Sequence, residues 1–142
     1  MAANEALALG KKVVQGLIDK DAEAILAVLA DDVLLEVPFP IVAGEDVTGS
    51  RRQRGAAVRE YIEDSNQRTA KVDFANAVWR TTGDGLAMFQ GDGEIELTDG
   101  RPYRNHYLML FEASDGKIVR WWEYYNPVTA MRAFGGPLDT IP

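Results

Sequence analysis

The chain has 142 residues, 46% of them hydrophobic, with a formal net charge of −7 and a sequence pI near 4.7. That balance suits one domain, residues 1–142, with its own core, and it argues against nucleic acid and anionic membranes as partners. With no cysteine and a single histidine, His106, disulfides, thiolate nucleophiles and His/Cys zinc sites are excluded.

The first residues, MAANEALALGKK, lack a charged-then-apolar signal pattern, and no apolar run is long enough to span a bilayer. A soluble cytoplasmic protein is expected, with a secreted one as the alternative if a signal peptide was removed ahead of residue 1. Leu7, Val14, Leu17 and Ile18 recur at helical spacing and predict a helix over Asn4–Ile18. Asp21 is placed to cap a second helix, Ala22–Leu29. Val33–Val37 reads as a short strand stopped by Pro38 and Pro40, followed by a loop, IVAGEDVTGS. The one dense basic run, RRQR at Arg51–Arg54, reads as a solvated loop. A third helix, Gly55–Arg68, buries Val58, Tyr61 and Ile62.

The period then changes to two. VDFANAVWR, LAMFQGDGEIEL, YRNHYLMLFEA and KIVRWWEYY read as four strands, the second interrupted by Gly91 and Gly93. Glycines inside a strand mark a bend or a close approach. Asn126 and Pro127 suit the start of a closing helix, and Gly135 and Gly136 its end. Helices segregated from an antiparallel run of strands make an α+β domain. A bent sheet with helices across its concave side leaves a cone-shaped pocket.

Ser114-Asp115-Gly116 reads as a three-residue hairpin loop, which sets Ala113 opposite Lys117, Met109 opposite Trp121, and Tyr107 opposite Glu123. One face then carries Asn105, Tyr107, Met109, Trp121, Glu123 and Tyr125, and the other carries Arg104, His106, Leu108, Trp122 and Tyr124. A two-residue turn would slip the register by one. The first face has the makings of a ligand pocket, and a carboxylate half-buried among its rings has a raised pKa. That suits Glu123 to general acid–base work, against the plainer reading of a carboxylate on a wet face.

Two segments, DAEAILAVLADDVLLEVPFP and YRNHYLMLFEASDGKIVRWWEYYNPVTAMRAFG, resemble the SnoaL-like, nuclear-transport-factor-2-like superfamily of α+β cones, a resemblance covering nearly the whole chain. GDGE at Gly91–Glu94, YRNH at Tyr103–His106, and Glu123 ahead of the Asn-Pro are similar to the PhzA/PhzB family of phenazine biosynthesis. In that family the matching glutamate is an acid/base group, which implies the same role for Glu123. The family's pocket histidine would fall in GAAVREYIED, which has none. The limonene-type epoxide hydrolases are also similar. Their two acids fall on Asp92 and Glu123, their arginine on Gln90, their tyrosine on Leu34 and their asparagine on Glu36, so the arginine and tyrosine are lost.

The resulting expectation is a homodimer joined through Trp122 and Tyr124, with His106 at that outer face. It works without cofactor or metal on a hydrophobic, ring-bearing small molecule. Glu123 abstracts or delivers a proton and Asp92 is the complementary acid, unless Asp92 is simply a carboxylate on an exposed strand. Tyr107 and Asn105 orient the substrate oxygen or Glu123 itself. Trp121, Met109, Tyr125 and Leu34 form the apolar wall, with Glu36 and Gln90 as polar lining. Crowding of Glu36, Asp92 and Glu123 with no arginine among them would keep at least one protonated. Isomerase, cyclase and lyase chemistry remain open, as do an epoxide hydrolase with a modified acid pair, a binding protein without turnover and a dimerisation domain.

Overall fold

The computed structural model of the chain describes residues 2–39 and 51–134. The first helix, α1 (Ala2–Asp19), buries Ala6, Gly10, Val13 and Val14 along one apolar stripe. The stripe lies close to the sheet: a Cβ at Gly10 would stand 2.8 Å from the Phe111 ring and 3.2 Å from Trp79. The helix ends where Lys20 takes a left-handed φ of 54° and the Asp21 N–H returns to the Gly16 carbonyl at 2.9 Å. The Asp21 carboxylate then caps α2 (Ala22–Leu26), accepting from the Ala24 N–H at 3.1 Å.

α2 stops short of Leu29 because the sheet claims the residues beyond Ala27. The Ile118 N–H donates to the Val28 carbonyl at 2.8 Å, and Leu29 opens β1 (Leu29–Val37) opposite Ile118. The basic run is a strand rather than a loop. As β2 (Arg51–Arg54) it pairs antiparallel with β1 and sets Arg52 opposite Glu36. The expected loop at Ile41–Ser50 and the terminal Gly135 and Gly136 lie outside the described residues.

The chain continues through α3 (Ala56–Arg68), β3 (Thr69–Thr81), β4 (Ala87–Leu97), β5 (Pro102–Ser114), β6 (Lys117–Tyr125) and α4 (Pro127–Phe134). Asn126 caps α4, its Oδ1 accepting from the Val128 N–H at 3.0 Å. The strands form one curled, unclosed sheet in the order β2-β1-β6-β5-β4-β3. Neighbours are antiparallel except β1 and β6, so the sheet is mixed and not wholly antiparallel as expected; the α+β class holds. Leu35, Phe89, Phe111 and Trp121 on the concave face pack against α1 and Ile25 to make the core. Among the described residues no helix is long and apolar enough to cross a membrane.

The β5–β6 hairpin departs from the expected register by two residues and still keeps the expected faces. Its turn is Asp115-Gly116, with φ of 52° and 76°, and Ser114 lies opposite Lys117. That turn alone slips the strand by one and would send Glu123 to the outside. A bulge at Val119, between the pairs Ala113–Ile118 and Glu112–Arg120, supplies a second slip. Met109 therefore faces Glu123 and Tyr107 faces Tyr125, with Glu123 returned to the concave side.

Candidate active site

A cavity of about 190 Å³ opens between α3 and the concave face of the sheet. Its apolar wall includes Val72, Phe74, Ile95 and Met109; its polar side is Glu123 with the tyrosines 61, 103, 107 and 125. The stripe Val58, Tyr61, Ile62 on α3 explains one half of this: Val58 and Ile62 enter the core, and Tyr61 between them presents a hydroxyl to the sheet. The other half comes from alternation on β5 and β6, which turns Tyr103, Tyr107, Met109, Glu123 and Tyr125 the same way.

Glu123 is 8% exposed. Its Oε1 accepts a hydrogen bond from the Tyr61 hydroxyl at 2.8 Å. No basic side chain pairs with it among the described residues. Burial pushes its carboxyl up to about 7, with the Tyr61 bond pulling the other way. Burial also holds the Tyr61 and Tyr107 hydroxyls well above the ordinary phenol range, aided by neighbouring charge on Glu123. Both stay protonated, the Tyr61 hydroxyl donating to Glu123 and the Tyr107 hydroxyl to Tyr103. The arrangement is a carboxyl poised between acid and base, facing an apolar space rimmed by hydroxyl donors.

The structure thus brings together Glu123, Tyr107, Tyr125 and Met109 of the expected set. Trp121 shares their face but lies beneath the cavity, fully buried beside Phe111 with ring centroids 5.9 Å apart. Asn105 is a structural tie rather than a substrate contact. Its Nδ2 donates to the Tyr103 hydroxyl (2.6 Å) and the Asn126 carbonyl (3.0 Å). Its Oδ1 accepts from the N–H groups of His106 (2.8 Å) and Asn126 (2.9 Å), so all four of its bonds are spent inside the protein.

Asp92 is not brought to the cavity. On β4 the inward positions are Gly91 and Gly93, where a Cβ would stand 2.7 Å from Phe89 and 2.6 Å from Tyr107 respectively. Those rings fold over the strand, and Asp92 points out with the exposed Gln90. There Asp92 accepts from Asn76 Nδ2 at 2.8 Å and lies 2.7 Å from His106 Nδ1, contacts that hold its carboxyl below the usual range. It is an ionised outer-face carboxylate, not a protonated partner for Glu123. Leu34 and Glu36 also belong to the outer face, opposite Arg120 and Trp122 of β6. Glu36 is buried but paired, 2.8 Å from Arg52 Nε and 3.9 Å from Arg120 Nη2, so arginines neutralise the crowding expected there.

The functional residue that sequence reasoning missed is Tyr61 as the partner of Glu123; the expected partner was Tyr107. The available signal was a hydroxyl-bearing ring on an otherwise apolar helix stripe. Among the described residues no three His, Cys, Asp or Glu side chains converge as a metal site.

Residues 11–121 match the family model of the SnoaL-like domain. The chain belongs to the SnoaL-like family. A relative, the uncharacterized protein YesE of Bacillus subtilis (strain 168), is 30% identical over 129 residues, covering 89% of this chain and 84% of YesE. Two solved structures share the fold of this SnoaL-like chain. The Bacillus subtilis "Putative Isomerase" superposes with a TM-score of 0.82 at 24% identity, covering 96% of each chain. The phenazine biosynthesis-related protein PhzB2 of Pseudomonas aeruginosa superposes with a TM-score of 0.71 at 21% identity, covering 99% of this chain and 94% of PhzB2. At these identities the likeness is one of fold.

Replacing Asn105 by Ala leaves the Asn126 and His106 backbone groups and the Tyr103 hydroxyl without their partner; urea unfolding is expected to give a loss of about 2–4 kcal/mol. The Glu123 carboxyl sits near 7 in the folded protein against an ordinary 4.5. Across that window the unfolded chain ionises Glu123 and the folded one resists, so stability is fully present below the lower value and falls as pH rises through the higher one. Relative to Glu123→Gln, the wild type is expected to lose about 3 kcal/mol over the window, read from unfolding curves at each pH. Parallel curves for the two proteins would place the carboxyl in water.

Proposed function

We propose that this SnoaL-like protein is an acid–base enzyme that moves a proton on a hydrophobic, ring-bearing small molecule. The observation that carries the reading is Glu123: buried, without a cation, bonded to one tyrosine hydroxyl, and titrating near neutrality inside a cavity. A carboxyl with that pKa is present in both forms near pH 7, so it can take a proton from one atom and return it to another. The Tyr107 hydroxyl, hydrogen-bonded to Tyr103, and the Tyr125 hydroxyl face the same space, where turning them would bring a donor to the oxygen on which enolate charge would gather. Glutamate and phenol groups complete such a transfer, so the reading calls for no cofactor. The fold shared with the "Putative Isomerase" and the phenazine biosynthesis-related protein supports isomerase-type chemistry and a ring-bearing substrate, and the same fold in two proteins named "putative polyketide cyclase" supports cyclase chemistry. A paired-acid hydrolysis has less support, since Asp92 lies outside.

The test is hydrogen exchange in deuterated water with ring ketones, enones and aromatic alcohols, followed by mass spectrometry. Glu123→Gln is expected to slow exchange or turnover by about 10²–10⁴-fold. Equal rates in the two proteins would remove Glu123 from the chemistry. Binding without exchange in either would favour a carrier.

We further propose a cytoplasmic homodimer packed through the outer sheet face. Leu108, Leu110, Trp122 and Tyr124 lie there half-buried, Phe39 packs against Tyr124, and the Arg120 guanidinium stacks over Trp122 at 4.4 Å. Sedimentation of a Trp122→Ala, Tyr124→Ala double variant is expected to show monomer where the wild type is dimeric.

A further inference from the structure

The acidic chain gathers three arginines beside the mouth of the cavity. A surface groove runs between the end of α3, the β4–β5 turn and the last turn of α4, lined by Arg68, Arg101 and Arg132 with Thr98, Asp99 and Phe134. Arg68 and Phe134 line both this groove and the cavity, with the Arg68 guanidinium 5.8 Å from the centre of the Phe134 ring. They are the doorposts between the two spaces. The groove is held by bonds between its three elements: the Thr98 N–H donates to the Arg68 carbonyl at 3.1 Å, and Arg101 Nη2 donates to the Ala133 carbonyl at 2.8 Å.

Among the described residues the charges facing the groove do not cancel. Asp64 pairs with Arg68 at 3.1 Å and Asp99 with Arg101 at 2.8 Å, both pairs about half exposed, while Arg132 makes no ion pair among the described residues. Among the described residues a net positive site thus stands at the doorway of a protein whose formal charge is −7. Exposed ion pairs hold their partners weakly, and each guanidinium has five N–H donors, more than these contacts use. An arriving oxyanion can bind in a fork without breaking them.

We propose that the ligand of the cavity carries an anionic oxygen group, a carboxylate or a phosphate, that passes between Arg68 and Phe134 and rests in the arginine groove. The inference builds on the reading of the cavity as a substrate site and gives that site a direction. The buried end of the cavity holds Glu123, whose own charge disfavours a second anion there. The ring therefore goes in first, and the atom presented to Glu123 lies at the end of the ligand away from its charge.

The probes are three of one shape: 2-naphthoic acid, 2-naphthyl phosphate and the neutral 2-naphthamide, titrated by calorimetry at neutral pH. At least one anion is expected to bind about tenfold or more tighter than the amide, a preference that shrinks at high salt. Whichever anion is preferred names the source of the charge. Arg132→Gln is expected to erase most of the preference, and Arg68→Gln likewise, while Arg59→Gln, remote at the α2–α3 surface, leaves it intact. Glu123→Gln alters proton exchange but should not reduce the preference. Equal binding of amide and anions, or a preference unmoved by Arg132→Gln and Arg68→Gln, overturns the inference and leaves the acid–base reading standing. No binding by any of the three overturns both.

Discussion

Everything distinctive about this chain depends on keeping one carboxyl dry. Glu123 sits on the concave side of a curled sheet among aromatic rings, and the Tyr61 hydroxyl is its bonded partner. Taking a carboxylate out of water raises its affinity for a proton, while a hydrogen bond to the charged form lowers it. The balance, about 7, is the result of both. A cation paired directly with Glu123 would have pulled it back toward an ordinary surface value. The arginines near Glu36 stay on the far side of the sheet, and those of the groove stay at the doorway.

The side on which Glu123 emerges is decided at a distance. Asp115 and Gly116 make a tight turn, and Val119 bulges three residues later. Either alone would exchange the two faces of β6, sending Trp121 and Glu123 to the outside and Trp122 and Tyr124 to the core. Together they cancel. The core tolerates only this solution, because Trp121 is fully buried against Phe111. Hydrophobic patterning, rather than the loop, therefore sets the register here.

That explains what could be read from the sequence and what could not. The strand KIVRWWEYY was legible to the residue, and so was the face that carries Glu123, since period-two alternation survives an error of two in pairing. Asp92 was misplaced although the contrary signal was present: Phe89, Ile95 and Leu97 alternate with Gln90, Asp92, Glu94 and Glu96, and a strand has only two sides. The glycines at 91 and 93 hid it, because absent side chains break the visible apolar run while filling the inward positions. Glu36 had a different concealment. Its partners are Arg52, sixteen residues away, and Arg120 on β6, and the parallel β1–β6 pairing that sets Glu36 beside β6 has no local mark in the sequence. Tyr61 was read as buried with Val58 and Ile62; it packs against the core but lines the cavity, and a helix stripe does not announce which strand its hydroxyl will meet.

Asn105 has a consequence for how such a molecule can change. The amide lies just off the cavity, joins β5 to the start of α4, and leaves no bond for a ligand. The Asn126 cap and the left-handed Lys20 at the end of α1 are likewise away from the lining. The knots that fasten the frame are thus different residues from the panels that face the ligand. Val72 and Phe74, half-buried on the cavity wall, can take other shapes without cutting any of those bonds, whereas Ile95 and Met109 are tied to the cores. A cone fastened in this way is free to change the shape of its cavity while Glu123 stays where it is.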